Sequence, residues 1–350
     1  MNVRSFRYFF HKLANWEYWP QQLVYAPVIP LYLYYTAKAG TPFFNVAANP
    51  TMENGGYMME SKFTILQQLP RRLVPVTIKI TAGTPIEEVK NQMQEHRFSF
   101  PCFCKPDIGG KGLGVAKIDN EDQLLNYQQG CRTDYLVQAE IPFKNEIGVF
   151  YCRLPYQPSG KITGIVGKKY LEVTGDGKST LKELIECNPR YYFQRKQLFS
   201  KYGSQFDEII PEGQKLVLSD IGNHARGSEF VDLTHLNNPR LETLIDGISR
   251  EYNTLYYGRY DIKFNDWEEL CEGKNFMIIE LNGCGSEPTH IYDTRIKLRG
   301  ALKIIVRHWK LMYSIAAYNH KMGAPYLSLR EGRRLQKEEK KIKDSFHWLT

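Results

Sequence analysis

The chain has 350 residues, 42% hydrophobic and 13% aromatic, enough to bury a full core in two or three packed lobes and too apolar for a disordered protein. Its net charge of +8 comes in part from Arg4, Arg7, Lys12 and a basic tail; with no RNA- or DNA-binding signature, nucleic acid is not an expected partner, and an anionic substrate or membrane surface suits the excess at least as well. Seven cysteines without a C-x-x-C pair and eight histidines without ligand spacing point to reduced thiols and no structural zinc, so any metal should be held by oxygen.

Residues 1–58 stand apart. The uncharged run 18–37, dense in Trp19, Tyr25, Tyr32, Tyr34 and Tyr35, is about long enough to cross a bilayer. Pro20, Pro27 and Pro30 each remove a backbone donor that lipid cannot replace, and Gln21 and Gln22 add polarity, so a spanning helix is not expected. Aromatics beside basic residues suit peripheral contact with an anionic membrane; packing against the second domain is the even alternative. Asn15 and Glu17 interrupt the place where a signal peptide needs its apolar core. A cytoplasmic address follows, with the inner face of the membrane as its variant.

Residues 59–70 predict a short helix stopped by Pro70, with Phe63, Leu66 and Leu69 on one face. Strands are predicted at 73–80 and 98–105 around a helix at 85–96, then a helix at 119–129 and extended runs at 134–141, 147–154 and 160–173. A helix at 179–187 opens on Ser179 as its cap. Strands at 257–264 and 275–281 precede a helix at 293–322, and the tail at 329–344 reads as a solvated helix with mixed-sign pairs. The order predicts an α+β architecture with antiparallel hairpins, divided as 1–58, a core at 59–325 and a charged helical tail at 326–350.

The strongest motif is Phe-Pro-Cys-Phe-Cys-Lys-Pro, ending in Lys105 and Pro106, followed by a loop with Gly109, Gly110, Gly112 and Gly114. A lysine at the end of an apolar strand, beside a backbone that can approach closely, suits a polyphosphate. Spacing excludes two common phosphate loops. The Gly177-Lys-Ser sequence has Glu172 where a Walker loop needs glycine, and the glycines after Lys105 are spaced two by two, unlike G-x-G-x-x-G. Farther on, strand alternation sends Glu280 and Asn282 to one face, where a carboxylate and an amide oxygen can hold a divalent cation. Arg259, Asp261 and Lys263 share a face of the preceding strand, a costly arrangement unless that face lines a site.

Together these motifs resemble the ATP-grasp superfamily, which includes D-alanine–D-alanine ligase, glutathione synthetase and cyanophycin synthetase, over roughly residues 60 to 300. The resemblance implies two α+β lobes clasping ATP, with Lys105, the glycines of its loop and Lys62 of Glu60-Ser-Lys62 on the phosphates. It implies an adenine hinge at Glu140 and the backbone of Ile141, Glu146 at the ribose, and Lys168 and Lys169 pointing into the same cavity. Asp261, Glu280 and Asn282 would hold magnesium, two ions being usual and manganese an alternative, with Arg259 facing phosphate and a later oxyanion. Residues 173–185 look like a mobile loop that closes over nucleotide, and 223–229 like a segment near substrate. The implied reaction joins a small-molecule carboxylate and an amine through an acyl phosphate, releasing ADP and phosphate; homodimers are common in such relatives. A phosphotransferase without an amine and a membrane-associated nucleotide switch are the rivals. Two departures stand out: the family's usual Rossmann-like domain ahead of the core has no counterpart in residues 1–58, and in the Gly283-Cys-Gly-Ser-Glu-Pro288 segment, where peptide ligases often hold a substrate carboxylate, Gly285 and Ser286 could serve but Glu287 would repel it, so an amine or another polar substrate is equally expected.

Overall fold

A computed structural model describes residues 3–110, 112–218, 227–252 and 255–346. The chain opens on helices α1 (Val3–Ala14), α2 (Gln21–Tyr25) and α3 (Ile29–Ala39). The prolines do not break this segment: Pro20 caps α2, Pro27 lies in the first turn of a 3-10 helix and Pro30 in that of α3, where a missing N–H has no intrahelical partner to lose. Among the described residues no helix is long and apolar enough to cross a membrane.

The first lobe begins with α4 (Lys62–Gln67), capped by the Ser61 side chain, and is built on β1 (Thr77–Ile80), β2 (Cys102–Pro106), β3 (Ala116–Ile118) and β4 (Tyr135–Ala139), an antiparallel sheet ordered β1-β4-β2-β3. Helices α5 (Ile86–Glu95) and α6 (Glu121–Gly130) cover one face, where Val89, Met93 and Leu124 meet Ile78, Cys104 and Val137. Alternation gives the other face Lys105 and its cross-strand partner Leu136, with Phe103 opposite Gln138. That face looks toward the second lobe.

The second lobe contains β5 (Asn145–Cys152), β6 (Lys161–Lys169), a subdomain of β7 (Glu172–Thr174), α7 (Leu181–Cys187), α8 (Pro189–Tyr202) and β8 (Lys215–Val217), then β9 (Glu229–Asp232), α9 (Pro239–Glu251), β10 (Tyr257–Phe264), α10 (Trp267–Cys271) and β11 (Phe276–Asn282). Its main sheet is antiparallel in the order β11-β10-β5-β6-β9. Ile245 and Ile248 of α9 bury the face that carries Val149, Tyr260 and Ile262. On the opposite face Tyr257 and Phe150 pack under α11 (Leu298–Lys321), and the N-terminal aromatics close over that helix: Tyr35 stacks on Tyr313 at 4.1 Å, and Tyr25 and Tyr32 flank Trp309. The fold is α+β with two sheet-based lobes, as the element order and the resemblance lead one to expect.

Five local expectations shift. The strand expected at 73–80 starts at Thr77 because Arg71–Leu73 form a 3-10 turn, and that expected at 98–105 starts at Cys102. The helix cap is Thr180, reciprocally bonded with Glu183 in a capping box, since the Ser179 hydroxyl is held by Asp176. The helix expected from 293 starts at Leu298, because Asp293 instead receives the backbone N–H of Asp232 and the guanidinium of Arg295. The tail helix α12 (Leu329–Asp344) has its mixed-sign pairs, Arg334–Glu338 and Lys343–Glu339, yet it is docked and not solvated all round. Gly332 lies so close to Phe43 that a Cβ would sit 2.3 Å from the ring, and Phe346 is 1% exposed inside the first lobe's core.

Candidate functional site

Lys105 ends β2 and is 6% exposed. Its ammonium meets two neutral oxygens, Gln138 Oε1 at 3.1 Å and the carbonyl of Ile279 at 3.3 Å on the opposing lobe. Burial pulls its pKa down to about 8, and the charges acting on it are, strongest first, Glu280, Lys62, Asp261 and Asp107. A buried cation bonded, among the described residues, to neutral groups alone is a place prepared for an anion.

The loop after Lys105 is tied to α4. Asp107, 2% exposed, accepts hydrogen bonds from the Ser61 hydroxyl and the Phe63 backbone and pairs with Lys79 at 2.9 Å. Lys62 donates to the carbonyl oxygens of Gly109 and Asp107, so its ammonium lies at the glycine loop. Gly109 has φ 144° and Gly112 φ 69°, and a Cβ on Gly109 or Gly110 would meet nothing within 4 Å, which leaves open backbone beside Lys62. Gly114 differs: a Cβ there would strike Pro106 at 2.5 Å, so it serves the turn itself.

Across the cleft, Asp261 faces Glu280 on the neighbouring strand, and Arg259 faces Asn282. Asp261 is bound by Arg259 Nε at 2.9 Å and by Lys168 at 3.4 Å; burial alone would raise its pKa, but these two cations outweigh it and hold it below the ordinary value. Gly148 permits this crowding, since a Cβ would meet Val166 at 2.8 Å, Asp261 at 3.2 Å and Arg259 at 3.3 Å. Glu146 joins the same group through Lys168, at 2.5 Å, and the Tyr170 hydroxyl, at 2.6 Å. Glu60 lies near Glu280, and burial raises its pKa; its Oε2 has no hydrogen-bond partner among the described residues.

Among the described residues no three His, Cys, Asp or Glu side chains form a metal cluster. The donors at hand are two carboxylates, Asp261 and Glu280, with the amide of Asn282, whose buried nitrogen lacks a partner among the described residues and whose amide atoms exchange by a simple flip. This oxygen-only set fits a hard divalent cation. Thus Lys62, Lys105, Arg259, Asp261, Glu280 and Asn282 converge at one cleft. Glu146 does so through an ion pair with Lys168. Lys169 stands apart: neighbours on a strand point to opposite faces, and it is 67% exposed beside Glu229. Glu140 pairs with Lys117 at 2.9 Å, while Ile141 is buried directly after β4. The 173–185 segment is held by local bonds of Asp176 and Thr180, and residues 223–226 lie outside the described residues. Sequence reasoning missed Asp107, Gln138 and Glu60; Gln138 was within reach, since it shares the face of Glu140 two residues before it.

No family model matches the chain. It is similar to the glutathione biosynthesis bifunctional protein GshAB of Streptococcus thermophilus, 23% identical over 69% of this chain and 35% of that protein. The GshAB protein of Clostridium perfringens is also 23% identical, over 59% and 28%. The chain therefore spans about a third of the length of the curated relatives it matches. Among solved structures, D-alanine–D-alanine ligase of Bacillus anthracis aligns at a TM-score of 0.42 and 13% identity, covering 75% of this chain and 69% of that one.

Proposed function

We propose that the chain is an ATP- and magnesium-dependent ligase that joins a carboxylate to an amine through an acyl phosphate, releasing ADP and phosphate. The observation that carries this reading is Lys105: a buried cation, bonded among the described residues to neutral oxygens alone, beside Glu280 and Asp261. Lys62, Lys105 and the open backbone at Gly109 and Gly110 bind the phosphates, and Ile141 offers backbone to the base with Glu140 beside it. Asp261, Glu280 and Asn282 would hold the metal, which neutralises phosphate charge as the substrate carboxylate attacks. Arg259 reaches the backbone oxygen of Glu287 at 3.2 Å, which puts a fixed cation at the end of the cleft, where it stabilises the oxyanion formed when the amine adds. Residues 173–185 close over the bound nucleotide in this reading. ADP release by the purified chain, screened over acids and amines, tests it. Turnover requires both an acid and an amine, and Asp261→Asn and Glu280→Gln abolish it; turnover with an acid alone would favour a phosphotransferase.

A second reading concerns location and is favoured by α1. Phe6, Phe9, Phe10 and Leu13 are each more than 50% exposed, while Tyr8 on the opposite side is buried against Tyr192. Arg7 and Lys12 flank the apolar arc, and Glu17, paired with Arg190, is the sole acidic residue before Glu53. An apolar stripe with basic edges suits the surface of an anionic bilayer, at the cytoplasmic side.

A further inference from the structure

A cavity of about 330 Å³ lies between α11 and the N-terminal helices, lined by the rings of Tyr25, Tyr32, Tyr57, Tyr257 and Trp309 and by Met312. It is at the small end of ligand cavities, which run from roughly 300 to 1,000 Å³. Its floor is the 284–288 segment that follows the end of β11, so it begins where Arg259 touches Glu287. Glu287 is the charged side chain in this lining; Gln21 and Tyr292 donate to its carboxylate at 2.8 and 3.3 Å, and among the described residues no basic group lies within salt-bridge distance of it. A carboxylate lining a cavity of aromatic rings selects a cation through its own charge.

Two polar atoms of the lining are buried without a partner among the described residues: Asn45 Oδ1 and His308 Nε2, on residues each 1% exposed. Burial keeps the Tyr257 hydroxyl protonated, and its hydrogen-bond partner among the described residues is His308 Nδ1 at 3.3 Å. In the tautomer in which that hydroxyl donates, the neutral imidazole carries its proton on Nε2, leaving one unmet donor on His308 and one unmet acceptor on Asn45. A hydroxyl or a carboxamide supplies both complements. Leaving such groups unpaired in a cavity is costly, so they constitute recognition and not mere lining.

We propose that this cavity seats the amine substrate, and that the amine is carried on a largely apolar body bearing a hydroxyl or carboxamide; the proposal rests on the ligase reading. The ammonium lies at Glu287 and the body among the tyrosines. In the acyl transfer one proton of the ammonium passes to Glu287, the freed nitrogen pair forms the C–N bond, the C–O bond to phosphate breaks with its pair leaving on phosphate, and a second nitrogen proton departs with it.

Calorimetric titration of the full chain with tyramine, with phloretic acid, which carries a carboxylate on a similar body, and with phenethylamine, which lacks the hydroxyl, tests this. Tyramine binds at least about tenfold more tightly than either, the scale of one charge-assisted or buried hydrogen bond. Glu287→Gln removes the preference over phloretic acid without lowering the melting temperature. Ile29→Trp, at a lining residue 45% exposed and so tolerant of change, weakens tyramine binding by occupying the cavity. Phloretic acid binding as well as tyramine, no tyramine binding, or an undiminished preference in Glu287→Gln overturns the proposal. The same samples are titrated with a non-hydrolysable ATP analogue and magnesium: nucleotide binding without amine preference overturns this inference alone, whereas no nucleotide binding overturns the ligase reading beneath it.

Discussion

Lys105 sets the terms at the scale of single residues. Its pKa of about 8 lies below the ordinary 10.5, so below pH 8 it is charged in both the folded and unfolded chain and the burial cost is fully present. Between pH 8 and 10.5 the unfolded chain holds more protons than the folded one, and stability rises with pH by about 3 kcal/mol from this group. Nucleotide binding runs the other way, because phosphate favours the charged form: affinity for an ATP analogue is flat below pH 8 and falls by up to about tenfold per unit above it, with proton uptake in the calorimeter. Lys105→Met accordingly stabilises the nucleotide-free chain at pH 7 by roughly 3 kcal/mol while removing nucleotide binding. A variant that is less stable and still binds would show that Lys105 is structural. Lys105, Asp261, Glu280 and Asn282 were legible in the sequence because each sits on an apolar strand whose period of two fixes its face. Lys168 and Lys169 were not separable, since the start of β6 sets which neighbour points inward. Asp107 was hidden because its partners lie on other elements, and Glu60 because the Glu280 it lies near is on a distant strand, so no local pattern reports either.

At the scale of elements, helix α1 is the case in which packing and sequence pattern diverge. Its core contact is Tyr8, which donates to the carbonyl of Glu186 at 2.7 Å, and its phenylalanines face outward. Exposed rings contribute little to folding, so Phe9→Glu with Phe10→Glu leaves the melting temperature within about 1 °C of the parent. The same pair of changes lowers partition onto phosphatidylglycerol vesicles at least about tenfold in a sedimentation assay, because it removes two buried rings and adds repelled charge. Equal partition of parent and variant would leave the outward face without a role in membrane contact. The helices of this segment escaped sequence reading because proline was weighed as a breaker, whereas Pro20, Pro27 and Pro30 occupy caps and first turns. Strands β10 and β11 were read at nearly their observed limits, since their ends carry turn residues and their interiors alternate.

At the scale of the molecule, α12 ties remote parts of the chain together. It meets Phe43, from the segment before the first lobe, at Gly332, and it ends with Ile342 and Phe346 packed in that lobe's core against α5, α6 and their sheet. A contact between residues hundreds of positions apart leaves no periodic trace, which is why a charged tail reads as solvated although its last turn is core. Phe346 also approaches the glycine loop: a Cβ built on Gly114 would lie 3.3 Å from its ring. Removing the ring therefore affects both the stability of the first lobe and the support under the phosphate loop. Phe346→Ala costs about 3 to 5 kcal/mol in urea unfolding, the range for a buried aromatic cut to alanine. Affinity for an ATP analogue falls as well, whereas Phe346→Leu, which keeps most of the packing, recovers most of both. The paired readout separates a support from a bystander: lost stability with unchanged nucleotide affinity would confine α12 to folding, and no loss of either would remove Phe346 from the core.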